Sequence, residues 1–87
     1  MAEDLPSWWT WPVVVSHHAS RRMAQRMCPE WMLRSMLQSP SGVQSDAAPG
    51  RFLIEGLNHG RLWHIIVEPD YGERVMIVVT LYPVDIS

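Results

Sequence analysis

Arg51-Phe52-Leu53-Ile54-Glu55-Gly56-Leu57, then Asn58-His59-Gly60, then Arg61-Leu62-Trp63-His64-Ile65-Ile66-Val67-Glu68: this stretch decides the fold. Two runs rich in β-branched and aromatic residues flank a short segment ending in glycine. That pattern predicts two strands joined by a three-residue hairpin loop, with Gly60 at the position that takes positive φ. Pro69-Asp70-Tyr71-Gly72 predicts the next turn, and Glu73 to Tyr82 the strand after it, which makes an antiparallel meander. Strand side chains alternate between faces, so Phe52, Ile54, Trp63, Ile65, Val67, Val75, Ile77, Val79 and Leu81 are expected on a helix-covered face. The opposite face then carries Glu55, His64, Thr80 and Tyr82 among Leu53, Leu62, Ile66, Met76 and Val78. It is only half polar. Exposed apolar patches of that kind mark partner surfaces, so Trp8, Trp9 and Trp11 or another chain are expected to cover part of it.

Upstream of the hairpin, residues 39–50 are a Ser/Pro/Gly/Ala-rich connector in which Val43-Gln44 allows a brief strand. Before it, Pro29 to Gln38 reads as a helix, with Pro29 at its first position, Glu30 in the first turn, and Trp31, Met32, Leu33, Met36 and Leu37 as apolar content. A preceding helix runs from His17 to Met27 behind Ser16 as N-cap, with Ala19, Met23 and Met27 on its apolar side. Its opposite side carries His18, Arg22 and Arg26 in one stripe, with Arg21 and Gln25 alongside. Pro12-Val13-Val14-Val15 reads as a short strand starting at, or lying on, a sheet edge. Residues 1–10 are expected to be a flexible N-terminal segment and 11–87 a single domain. The predicted fold is α+β, two short helices on one face of a three- to five-stranded antiparallel β-meander.

The chain of 87 residues has room for one core, and its composition, 47% hydrophobic with five Trp and 18% charged residues, is globular. The formal net charge of −2 argues against a broad nucleic-acid-binding footprint. The distribution is more telling than the sum. Every basic residue is Arg, and Ser16 to Met27 carries three of them with no acid, a composition suited to a local phosphate site. Cys28 is the one cysteine and has no partner for an internal disulfide; before Pro29 it reads as a buried or cap-position residue. No secretory signal is read near the N-terminus, and the apolar runs Trp8 to Val15 and Val75 to Leu81 fall far short of the roughly 18 to 20 residues of a membrane span. The expected location is the cytoplasm.

Two constellations carry chemistry. On the first helix, His18 is of a residue type that can act as general acid or base, and Arg22, Arg26 and Arg21 are placed to hold a phosphate. On the sheet, Arg61, His64, Thr80 and Tyr82 form a second set, in which Thr80 and Tyr82 share a face of the last strand. Against these stand plainer readings: a solvated Arg-bearing helix face, and a Tyr and Thr serving only as good strand residues. The four His and one Cys show no metal-ligand spacing, and no phosphate-cradling glycine loop or nucleophile elbow occurs, so no metal and no cofactor are expected.

Taken together, Ser16-His17-His18-Ala19-Ser20-Arg21-Arg22-Met23-Ala24-Gln25-Arg26, the Pro29-Glu30 helix ending at Ser39-Pro40, and Val79-Thr80-Leu81-Tyr82-Pro83 resemble a family of small bacterial domains. Its hallmark is a His-Ala-x-x-Arg-Met-x-x-Arg helix followed by a β-meander ending in Thr-x-Tyr-Pro. The family is related to the BrnT and RelE toxins and, more broadly, to barnase/colicin-like metal-free ribonucleases. Only the helix and the last strand are specific in this resemblance, and Met27-Cys28 stands where the family usually has a glycine. The resemblance implies a toxin-like endoribonuclease of a toxin-antitoxin system, with His18 as general acid/base, Tyr82 and Thr80 from the last strand, and Arg22, Arg26, Arg21 and Arg61 as RNA-phosphate ligands. Its partners would be RNA and a cognate antitoxin. The alternative is a non-catalytic interaction domain of the same fold, binding a protein through the open sheet face and Trp8, Trp9 and Trp11.

Overall fold

The computed structural model describes residues 5–84; expectations for residues 1–4 and 85–87 lie outside the described residues. In chain order the elements are a 3-10 turn Ser7–Thr10, β1 Val13–Val15, α1 His17–Gln25, α2 Glu30–Gln38, β2 Gly42–Ser45, β3 Phe52–Asn58, β4 Arg61–Asp70 and β5 Val75–Pro83. The strands form one five-stranded sheet in the order β1-β5-β4-β3-β2. Helices α1 and α2 pack on one face of it, over β5 and β3 respectively. This is the α+β arrangement the sequence predicts, with one departure: β1 runs parallel to β5, so the sheet is mixed. Strands β2 to β5 reverse direction through connections that return the chain beside itself. β1 meets β5 only after two helices and three strands, so no hairpin dictates its direction.

The hairpin is tighter than expected. Asn58 pairs with Arg61, leaving His59-Gly60 as a two-residue turn with φ of 53° and 79°. Positive φ at both central residues is the type I′ pattern, whose twist matches that of the flanking strands. A second correction concerns β5. Val67 pairs with Val78 but Ile66 pairs with Thr80, so Val79 is an extra residue, a β-bulge. The bulge changes phase within the strand. Met76, Val78 and Leu81 face the helices and are buried, whereas the sequence reading put Val75, Ile77 and Val79 there. Val75-Met76-Ile77-Val78-Val79 is apolar throughout, so it offers no alternation from which the phase can be read.

The N-terminal tryptophans are also placed differently. Far from forming a flexible segment up to residue 10, Ser7–Thr10 is an ordered 3-10 turn whose Trp8 is only 2% exposed. Trp8 packs against Phe52 with ring centroids 4.9 Å apart, joining the core on the helix side of the sheet. Burying an indole outweighs the polar, Pro-containing surroundings that suggested looseness. Trp9 lies against the same core and Trp11 sits edge-on to Tyr71 at 5.4 Å, so this segment does not cover the open sheet face.

Helix α1 stops by backbone geometry. The Cys28 N–H donates to the Met23 carbonyl at 2.8 Å and the Met27 N–H to that of Ala24 at 3.3 Å, with Met27 at φ 56°. This is a Schellman closure with methionine where glycine is usual, and Met27 is 86% exposed. The closure turns Cys28 inward, where burial raises its thiol pKa. Pro29 is the N-cap of α2 rather than its first residue, and its carbonyl accepts from Met32 and Leu33. Met32, Leu33, Met36 and Leu37 fill the buried arc of α2, which leaves Trp31 exposed against expectation. Over β3 the contact is close: a Cβ on Gly56 would lie 2.7 Å from the Met36 Cβ. Among the described residues, no helix is long and apolar enough to cross a membrane.

Two substitutions test this packing in opposite directions. Gly56→Ala is expected to cost about 1–3 kcal/mol, since α2 must lift from the sheet. Met27→Gly is expected to gain about 0.5–1 kcal/mol, the relief of left-handed strain exceeding the added unfolded-state entropy. Urea unfolding of both variants beside the parent chain gives the two signs directly.

Candidate functional site

The residues singled out from sequence fall into two groups. On α1, Ser16 caps the helix by accepting from the Ala19 N–H at 3.0 Å, and the first turn has no acidic residue. His18, Arg21, Arg22 and Gln25 then line a shallow, mostly polar hollow of about 130 Å³ on the exposed face. Within it Arg22 Nη1 donates to Gln25 Oε1 at 3.0 Å, which orients that guanidinium along the helix. Arg26 is exposed at the C-cap and is not part of the hollow. Neither Thr80 nor Tyr82 lines it either.

The sheet group is more tightly assembled. Counting outward from the two-residue turn, Glu55 pairs with His64, and His64 pairs with Tyr82 across the other neighbour. All three point away from the helices, because their strand neighbours Ile54, Ile65 and Leu81 are buried beneath them. His64 Nε2 is 3.8 Å from Glu55 Oε2, and the Tyr82 ring meets the His64 ring edge-on with centroids 5.6 Å apart. The histidine is the more sheltered of the two, its side chain 23% exposed against 38% for the glutamate. Thr80 shares this face one pair further along, opposite Ile66.

Arg61 does not join the sheet group. It lies beside Asn58 at the hairpin end, its guanidinium carbon 5.9 Å from the centroid of the Trp63 ring, and Trp63 belongs to the helix-side core. Trp8 is inside the core and is no contact for a partner. Trp9 lines a hollow of about 380 Å³ with Val13, Arg34, Leu37, Gln38 and Met76, in which Arg34 is engaged by Glu30 at 2.7 Å. Among the described residues no three of His, Cys, Asp and Glu cluster closely enough to hold a metal ion.

One residue hydrogen-bonds the two elements together. Ser16 Oγ donates to the Val79 carbonyl at 3.1 Å, and the Ser16 N–H donates to the Val78 carbonyl at 3.1 Å. The start of the basic helix is thereby fixed at the bulge of β5, the strand that also carries Thr80 and Tyr82. Glu55 is the residue that sequence reasoning left out of the site, although it was placed on the right face. Its signal is the turn length: a two-residue turn at His59-Gly60 puts Glu55 directly opposite His64, whereas a three-residue loop shifts the pairing. No family model, curated protein or solved structure matches the chain.

Because Ser16 serves as helix cap and as anchor of the bulge, Ser16→Ala is expected to lower stability by about 1–2 kcal/mol. Amide hydrogen exchange should localise the added opening to the first turn of α1 and to residues around Val79. Uniform acceleration across β3 and β4 would contradict that placement.

Proposed function

We propose that this chain is a toxin-like, metal-independent RNA-cleaving domain whose acid–base centre is the row Glu55–His64–Tyr82. The observation that carries the reading is the convergence of a carboxylate, an imidazole and a phenol, from three adjacent strands, on a sheet face that no helix covers. A histidine ring nitrogen can take a proton, and the Glu55 carboxylate lies 3.8 Å from His64 Nε2. His64 is therefore the general base for a ribose 2′-hydroxyl. The freed oxygen attacks the adjacent phosphorus, the P–O5′ bond breaks, and the Tyr82 hydroxyl supplies the proton to the departing 5′-oxygen. Solvent returns the proton from His64 to Tyr82, and the products are a 2′,3′-cyclic phosphate and a 5′-hydroxyl end.

The sheet row contains no guanidinium, and this is where α1 enters. Arg21 and Arg22 are on the helix whose first turn is fixed to β5 by Ser16. They lie on the exposed side of α1, across the sheet from the row, so the phosphates they contact belong to RNA that passes round the β1 edge, a role in which Arg is favoured for its planar fork of donors. His18 lies in this phosphate-binding group, so the catalytic histidine of the proposal is His64. The resemblance to BrnT- and RelE-like toxins agrees with RNA as the substrate.

A second reading is favoured by a specific feature of the same face. Val14, Leu57 and Tyr82 are 45%, 56% and 37% exposed there, and Ile77, Leu53 and Leu62 lie between them half-buried. An apolar surface of this kind suits a protein partner such as a cognate antitoxin. Here the partner rests on the sheet and not on the N-terminal tryptophans.

The purified chain is expected to cut RNA without added metal and in the presence of a chelator. His64→Ala should lower kcat about 10²- to 10⁴-fold, while the paired change Arg21→Ala/Arg22→Ala should raise KM and flatten its salt dependence. Intact RNA after incubation with the parent chain, or equal cleavage by His64→Ala, would reject the catalytic reading. Loss of partner capture in Leu57→Asp, with no cleavage by the parent chain, would establish the second.

A further inference from the structure

Gly42 has no conformational reason to be glycine. It lies in β2, an extended strand, and its φ is not in the left-handed region. A glycine within a strand weakens it, and where no turn requires one it marks a close approach. The approaching group is identified by geometry: Gly42 pairs with Glu55, and a Cβ on Gly42 would lie 2.8 Å from Glu55 Oε1, 3.6 Å from its Cδ and 3.9 Å from its Cβ. The three nearest atoms all belong to that one side chain. The carboxylate is thus divided between two neighbours, with Oε1 seated over the bare Cα of Gly42 and Oε2 directed to His64 Nε2 at 3.8 Å.

We propose that Gly42 is a positioning residue, the seat that holds the Glu55 carboxylate within electrostatic reach of His64 but outside hydrogen-bond distance of it. Resting on the acid–base reading of the row above, this adds a fourth strand to it: Gly42–Glu55–His64–Tyr82 runs from β2 to β5. The separation matters chemically. At hydrogen-bond distance, about 2.7–2.9 Å for a charge-assisted pair, the carboxylate would hold the Nε2 proton and fix one tautomer. At 3.8 Å it lends its charge while the imidazole stays free to exchange protons with a ligand. A methyl group on residue 42 removes the seat. The atom it meets is the far end of a flexible side chain, so the carboxylate moves and the backbone does not.

The test is Gly42→Ala in the full chain, read by ¹⁵N and ¹H shifts of the His64 imidazole, which report its tautomer balance whether or not the protein cleaves RNA. The expected result is a changed tautomer balance at His64 with unfolding stability equal to or above that of the parent. Glu55→Asp provides the second arm, because the shorter side chain withdraws the carboxylate from Gly42. In the Glu55→Asp background the same Gly42→Ala change is expected to leave the His64 signals where they were. Unaltered His64 signals in Gly42→Ala, an equal shift in both backgrounds, or loss of the fold would each overturn the proposal. If the parent chain cuts RNA, Gly42→Ala should also lower kcat about 10- to 100-fold with KM unchanged. Absence of cleavage by the parent chain would reject the ribonuclease reading and leave the imidazole result standing.

Discussion

The bulge at Val79 is the constraint on which the rest of this structure depends. Without the extra residue, β5 would present one continuous set of side chains to the helices, and either Met76 and Val78 or Leu81 would face solvent. With it, the strand buries Met76 and Val78 beside β1 and then Leu81 further along, all on the helix side. A bulge leaves backbone groups out of the ladder, and here Ser16 compensates: its hydroxyl donates to the Val79 carbonyl while accepting from the first turn of α1. One side chain therefore closes the irregular point of the sheet and starts the helix that covers it. The phase change also fixes where chemistry is possible, since it sends Thr80 and Tyr82 to the face opposite Leu81.

The helix layer is economical because two features let it lie close. Gly56 admits Met36 at a separation that no side chain would allow, and the Schellman turn at Met27 folds Cys28 back over Met23 without spending residues on a loop. Trp8 and Phe52 then close the layer where the N-terminal turn meets β3. A chain of 87 residues has little apolar area to spare, and this arrangement spends it on one face. The other face is left without a layer among the described residues, although Ile66 is buried there.

Much of this was legible in the sequence. The order of elements, the N-cap at Ser16 and the brief strand at Val43 follow from local rules that the structure obeys, whereas Met27 and Trp31, expected on the apolar sides of their helices, are exposed. What was not legible has physical causes. The phase of β5 could not be read from five consecutive apolar residues. Trp8 was expected over the open sheet face or against a partner, while its place in the helix-side core depends on Phe52, more than forty positions later. The direction of β1 is set by a partner at the far end of the chain. The candidate site shows the same division. His64, Thr80 and Tyr82 were placed on one face by alternation alone, and the same alternation puts Arg61 with Trp63 on the other, but adding Glu55 needed the turn length. His18 on α1 and Thr80 and Tyr82 on β5 belong to two separate groups, whose elements are joined at Ser16.

The same uncovered face is asked to do two things in the readings above, and they are physically exclusive at any one moment. A partner that seals the apolar margin formed by Val14, Ile77, Leu57 and Leu62 would also withdraw Glu55, His64 and Tyr82 from water. The Glu55 carboxylate and the His64 imidazole, 3.8 Å apart, do not hydrogen-bond to each other, and burying both without further hydrogen bonds is costly. A partner with a purely apolar contact surface would thus meet a penalty at the centre of its own interface. One that supplies a donor to the carboxylate or an acceptor to the imidazole avoids that penalty and occupies the positions a ribose hydroxyl would need. Inhibition by such a partner would be competitive because the two ligands must satisfy the same polar atoms.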